Sequence, residues 1–116
     1  MVTEDWMMRQ VETMARSIAM LVFHKEDTAY VPSGDAEADG LHRELMGRLE
    51  AGDICGGEDL LFEAAEEDVP GCLEAGVDFY ARLNELSDAR LEEAGFGRDE
   101  ILEGLRDLSE RFGVVL

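Results

Sequence analysis

Apolar residues recur three and four positions apart along almost the whole chain, the period of a helix with one buried face. Strand signals are nearly absent, because β-branched residues are few and never alternate with polar ones over a useful length. With 116 residues, 46% of them apolar, the chain can bury an ordinary core in spite of its charge. The expectation is a single all-α domain over 1–116. It comprises a long amphipathic N-terminal helix within 1–26 and stacked antiparallel hairpins over 36–113, about six helices in all.

Local signals place those helices. Thr3 can cap the first, with Glu4 and Asp5 in its opening turn at the positive end of the dipole, and the helix runs to about His24 or Lys25. Pro32 and Gly34 mark 27–36 as a loop. A second helix is expected over 36–51 with Leu41, Leu45 and Leu49 on one face, ended by Gly52. A third covers about 54–67 with Ile54, Leu60, Leu61 and Ala64 inward, and Val69-Pro70-Gly71 breaks it. The fourth, about 71–86, buries Leu73, Val77, Tyr80 and Leu83 and carries Asp78 and Arg82 outside. Ser87 or Asp88 starts a short fifth that Gly95 ends. The sixth, about 98–112, presents Ile101, Leu102, Leu105, Leu108 and Phe112 before Gly113.

Charge excludes several function classes. The chain carries 28 acids against 10 bases, a net of −18, which argues against a nucleic acid or an anionic membrane face as partner. Residues 1–26 are almost neutral, with three bases and four acids, so nearly all the excess lies further on. A solvated acidic surface or a high-salt habitat explains such an excess, and a face for a basic partner is the functional alternative. The longest apolar run, Ile18 to Phe23, is far shorter than the ~20 residues that span a bilayer. Acids stand where a signal peptide would carry bases, so a cytoplasmic location is expected. Cys55 and Cys72 are then expected as free thiols.

Two resemblances follow from particular residues. Leu45-Met46-Gly47-Arg48-Leu49-Glu50-Ala51-Gly52-Asp53-Ile54, continued by Gly57, Leu61 and Ala64, resembles half a tetratricopeptide repeat. In that repeat a Gly-Asp turn joins two antiparallel helices, and bulky, small, bulky and alanine positions follow at the offsets of Ile54, Gly57, Leu61 and Ala64. Arg48 and Leu41 stand where the repeat prefers tyrosine and tryptophan. Only one repeat is visible where solenoids need three or more, so the likeness implies a tetratricopeptide-like hairpin within a globule rather than an array. The whole chain is also similar to a family of small bacterial proteins of unknown function. The residues that carry this likeness are Asp5-Trp6-Met7-Met8-Arg9-Gln10, Glu58-Asp59-Leu60-Leu61-Phe62 after the Gly-Asp turn, and Glu103-Gly104-Leu105-Arg106-Asp107. It implies a fold and no activity.

Catalytic and metal readings find little support in the residues. Asp35, Glu37, Asp39 and Gly40 sit at positions 1, 3, 5 and 6 of a calcium loop, but Met46 occupies position 12, where a bidentate glutamate is required. Cys55, Cys72, His24 and His42 include no closely spaced pair to seed a zinc site. No Ser–His or Cys–His arrangement and no glycine-rich phosphate loop is present in the sequence. No catalytic, cofactor or metal site is therefore expected.

The first helix is the remaining feature. Met7, Val11, Met14, Ile18 and Leu21 form one stripe, and Met8, Val11, Ala15, Ile18 and Val22 form another beside it. An apolar face wider than one neighbour can cover favours association, and methionine suits adaptable contacts. The expected function is a non-catalytic helical interaction module, a homodimer or a binder of another protein. Its contact surface would be Trp6, Met7, Met8, Val11, Met14, Ala15, Ile18 and Val22. The alternative is a small-ligand or metal-binding protein with a pocket near Tyr80, Cys72 and His42.

Overall fold

A computed structural model describes residues 2–114, with side chains from Asp5 onward. Six helices follow in order: α1 (Val2–Phe23), α2 (Ala36–Glu50), α3 (Ile54–Glu66), α4 (Cys72–Asn84), α5 (Asp88–Glu93) and α6 (Arg98–Arg111). No strand occurs among the described residues, so the fold is all-α.

One expected start signal and three expected stop signals act as read. Ser87 Oγ accepts from Arg90 N to cap α5, and Gly52, Gly95 and Gly113 adopt left-handed conformations after α2, α5 and α6. Two ends close differently. His24 (φ 56°), rather than a glycine, ends α1 at Phe23, and Lys25 N donates to Ala19 O at 3.0 Å. Asp68 (φ 54°) ends α3 before Pro70 is reached. At the other end, α1 begins at Val2, and the expected cap by the Thr3 side chain lies outside the described side chains.

α4 is the hub, packing against α1, α2, α3 and α6. It is buried nearly all round, which corrects the one-sided face expected of it. Besides Leu73, Val77, Tyr80 and Leu83, it buries Ala75, Gly76, Phe79, Asn84 and the carboxylate-bearing Asp78. Asp78 can be enclosed because His42 Nε2 lies 2.6 Å from Oδ2 and Arg82 Nε donates to Oδ1 at 3.0 Å. The other helices present single buried faces to this hub: Val11, Ala15, Ile18 and Ala19 from α1; Ala38, Leu41 and Leu45 from α2; Ile54, Leu61, Ala64 and Ala65 from α3; Ile101, Leu102, Leu105 and Leu108 from α6. Leu60 and Phe112 fall short of the burial expected of them, being half-buried and exposed respectively. Ile54, Gly57, Leu61 and Ala64 are all buried. Any packed helical hairpin buries such a set, and their burial does not single out a tetratricopeptide arrangement.

Close approach fixes two glycines. A Cβ on Gly71, itself left-handed at φ 73°, would stand 2.9 Å from Ala38 Cβ. A Cβ on Gly104 of α6 would stand 2.4 Å from Tyr80 Oη and 2.5 Å from Glu58 Oε2, the two atoms of a buried hydrogen bond 2.6 Å long. Gly104→Ala should therefore force that pair apart. The expected loss of stability is about 1–3 kcal/mol, read by urea unfolding. An unchanged midpoint would show that α6 can shift away freely.

Candidate interaction surface

α1 packs on α4 and α6 through the stripe that the two sequence patterns share. Val11, Ala15 and Ile18 are enclosed by their own chain, which removes them from the expected contact surface. Met7, Met8 and Met14 are half-buried at its margins. Asn84 Nδ2 donates to Met8 O at 3.0 Å and pins the N-terminal half of α1 to the end of α4.

The exposed apolar side chains of α1 lie mainly elsewhere. Trp6 is 54% exposed, Met20 61%, Leu21 62% and Val22 39%. Of these, only Trp6 and Val22 belong to the predicted contact set. At 100° per residue, Trp6 and Met20 point roughly away from the buried stripe, in line with Gln10, Thr13 and Ser17. The line Trp6, Gln10, Thr13, Ser17, Met20 steps four, three, four and three, and none of its members is charged. A repeat of this type was missed in the sequence because three of its five members are polar. An apolar count passes over them, whereas a search for an uncharged stripe finds it. Val22 shares the angle of the core residues and is still exposed. At 1.5 Å per residue α1 is about 33 Å long, against about 20 Å for α4 and about 21 Å for α6, so its final turn can extend past them.

Beside Trp6 an open groove of about 420 Å³ is lined by Asp5, Arg9, Gln10 and Thr13. One shoulder of the uncharged line carries Asp5, Arg9, Glu12 and Arg16, all exposed. Glu12 and Arg16 contact each other at 3.4 Å, a solvent-exposed pair that holds neither side chain firmly. Further round, Glu12 and Arg16 line a small cavity of about 130 Å³ with Thr28, Asn84 and Glu85.

The residues of the alternative, ligand-binding reading are engaged with other parts of the chain. Tyr80 is buried and donates to Glu58; burial, then this bond, pushes its phenol pKa strongly up. Cys72 is buried, its thiol lies 3.5 Å from Leu61 O, and burial raises its pKa to about 11. His42 pairs with Asp78 and stacks on Tyr30, their ring centroids 4.3 Å apart. Among the described residues no group of three or more His, Cys, Asp or Glu side chains is placed to hold a metal ion. In the segment resembling a calcium loop, Asp35 caps α2 by accepting from Glu37 N and Ala38 N, and Asp39 accepts from Tyr30 Oη, Ser33 N and Gly34 N. An acidic cleft between α3 and α6 gathers Glu58, Asp59, Glu100, Glu103 and Asp107. Glu58 has a raised pKa there, from burial first and the neighbouring carboxylates next, against the opposing Tyr80 bond.

A family model described as a family of unknown function (DUF6483) matches residues 1–113. The chain belongs to that family. The match contains all three segments that carried the full-length likeness, beginning at Asp5, Glu58 and Glu103. No curated protein and no solved structure matches the chain. No helix among the described residues is long and apolar enough to cross a membrane.

The loop between α1 and α2 is held through the buried Tyr30. Tyr30 donates to Asp39 at 2.6 Å, and Lys25 bonds Glu74 of α4 at 3.1 Å. Burial, then the bond to Asp39, raises the Tyr30 pKa to about 12; the same bond, first among its causes, holds Asp39 below the ordinary carboxylate range. Because the fold favours the neutral phenol, this share of stability is intact below pH ~10 and is lost as pH rises towards about 12. Urea unfolding should thus show wild type above Tyr30→Phe at pH 9, with the gap closing by pH 11.5. A constant gap would mean that Tyr30 ionises equally in the folded and unfolded chains.

Proposed function

We propose that this protein is a non-catalytic helical interaction module that self-associates through the outward face of α1, in a bacterial cytoplasm. One observation carries the reading: Trp6 and Met20, exposed large apolar side chains of α1, lie on an uncharged line of a chain of net charge −18. Elsewhere the surface is dominated by carboxylates, which repel a like-charged body. Trp6 adds an aromatic anchor of the kind that dominates interface energetics. The buried stripe keeps α1 in place, so the outward face is presented on a rigid element. Two free cysteines, Cys55 exposed and Cys72 buried, suit a reducing compartment. Ligand or metal binding near Tyr80, Cys72 and His42 has weaker support, since the Tyr80 hydroxyl, the Cys72 thiol and His42 Nε2 already have partners within the chain.

Sedimentation velocity from micromolar to several hundred micromolar tests the proposal. Wild type is expected to shift to twice the monomer mass, and Trp6→Glu to weaken association at least tenfold. The Trp6→Glu fold should keep its stability to within about 0.5 kcal/mol, as expected for an exposed site. By contrast, Val11→Glu would bury an unpaired carboxylate in the core and unfold the chain, so it cannot serve as the probe. A wild type that stays monomeric over the whole range would overturn the proposal.

A further inference from the structure

Resting on the reading of α1 as the self-contact, we infer that its partner is a second copy lying antiparallel, centred between Gln10 and Val11, with Asp5 of each copy facing Arg16 of the other and Arg9 facing Glu12.

The inference comes from the order of charges on one shoulder of the outward face. Asp5, Arg9, Glu12 and Arg16 run −, +, −, + along the helix, all exposed and within about 60° of one another around the axis. A two-fold axis perpendicular to two antiparallel helices brings this shoulder against itself, reversed. In the register where positions i and 21 − i are opposite, the reversed order is +, −, +, −, so each charge meets its opposite. A parallel pair instead sets this shoulder against the other flank of the line, where Met7, Gln10, Met14 and Leu21 carry no charge. The antiparallel arrangement therefore offers four intermolecular ion pairs per dimer and the parallel arrangement offers none.

Side-chain size fits the same register. Trp6 falls opposite position 15 of the second copy, between Thr13 and Ser17, the small residues on the uncharged line. The groove beside Trp6, lined by Gln10 and Thr13, gives the indole room to settle. Residues 2–19 of the two helices overlap, about 27 Å of contact. Within each copy, Arg16 has only the exposed Glu12 contact at 3.4 Å, with Glu85 near the same cavity, so its guanidinium can turn outward.

The two helix directions are told apart by cysteine crosslinking under mild oxidation, with Cys55→Ser removing the exposed native thiol. In the inferred register Gln10 lies about 1.5 Å along the axis from its own copy in the partner, whereas Ser17 lies about 20 Å away. Gln10→Cys should therefore crosslink readily and Ser17→Cys should not. Equal crosslinking at both positions would establish a parallel pair and overturn the inference while leaving self-association through α1 intact. Absence of crosslinking at either position in a protein that sediments as a dimer would place the contact elsewhere and overturn both. A second arm reads the charges. Arg9→Glu should weaken association roughly tenfold at low salt, since it removes two of the four pairs. Adding Glu12→Arg to the same chain, with Asp5 and Arg16 unchanged, should recover most of that loss. No effect of Arg9→Glu would overturn the assigned register.

Discussion

The enclosure of α4 is the constraint on which the remaining structure depends. A 13-residue helix packed by α1, α2, α3 and α6 has almost no face left for solvent, so its polar side chains must find partners inside the protein. Asp78 takes His42 and Arg82, Tyr80 takes Glu58, and Asn84 Nδ2 takes the Met8 carbonyl, while Asn84 Oδ1 stays buried without a partner among the described residues. Each bond ties α4 to a different element or to its own next turn, and together they fix where the surrounding helices can sit. Gly76 and Gly104 serve the same end by letting side chains of neighbouring helices come close, Leu108 at the first and Tyr80 at the second.

This arrangement also determines what α1 can offer. Because α4 and α6 take only the Val11–Ala15–Ile18 stripe, the opposite side of a 22-residue helix is left open. That side is short of charge on a chain otherwise crowded with carboxylates. Low charge, an exposed indole and a firmly anchored helix occur together on this face, and their combination distinguishes it from the acidic cleft between α3 and α6. There, five carboxylates surround Phe62 and Gly104, and the half-buried Glu58 is already bonded to Tyr80 within the chain.

Much of the fold was legible from periodicity and punctuation. All six helices lie within two residues of their expected bounds, and Gly52, Ser87, Gly95 and Gly113 act as anticipated. The misses have physical causes. His24 and Asp68 end helices in a left-handed conformation usually left to glycine or asparagine; aspartate and histidine adopt it more readily than most residues, but that preference is too weak to mark a helix end. Asp78 was placed in solvent because its partner His42 is 36 positions away, a contact that no local pattern encodes. Tyr30 was lost in a Pro- and Gly-bearing loop for the same reason. For α1, overlapping stripes marked the apolar side correctly, but a period shows which residues share a face and not which neighbour covers it. Val11, Ala15 and Ile18 were thus assigned to a surface when they belong to the core, while the stripe of Gln10, Thr13 and Ser17 passed unnoticed.

Trp6 is the sole tryptophan of the chain, so it reports directly on the face at issue. Its fluorescence, followed while the native protein is diluted from high micromolar to nanomolar concentration, measures whether that face is covered. Enclosure by a second copy predicts an emission that moves to longer wavelength and becomes more accessible to acrylamide on dilution, with a midpoint matching the sedimentation constant. A red, fully quenchable emission at every concentration would contradict it.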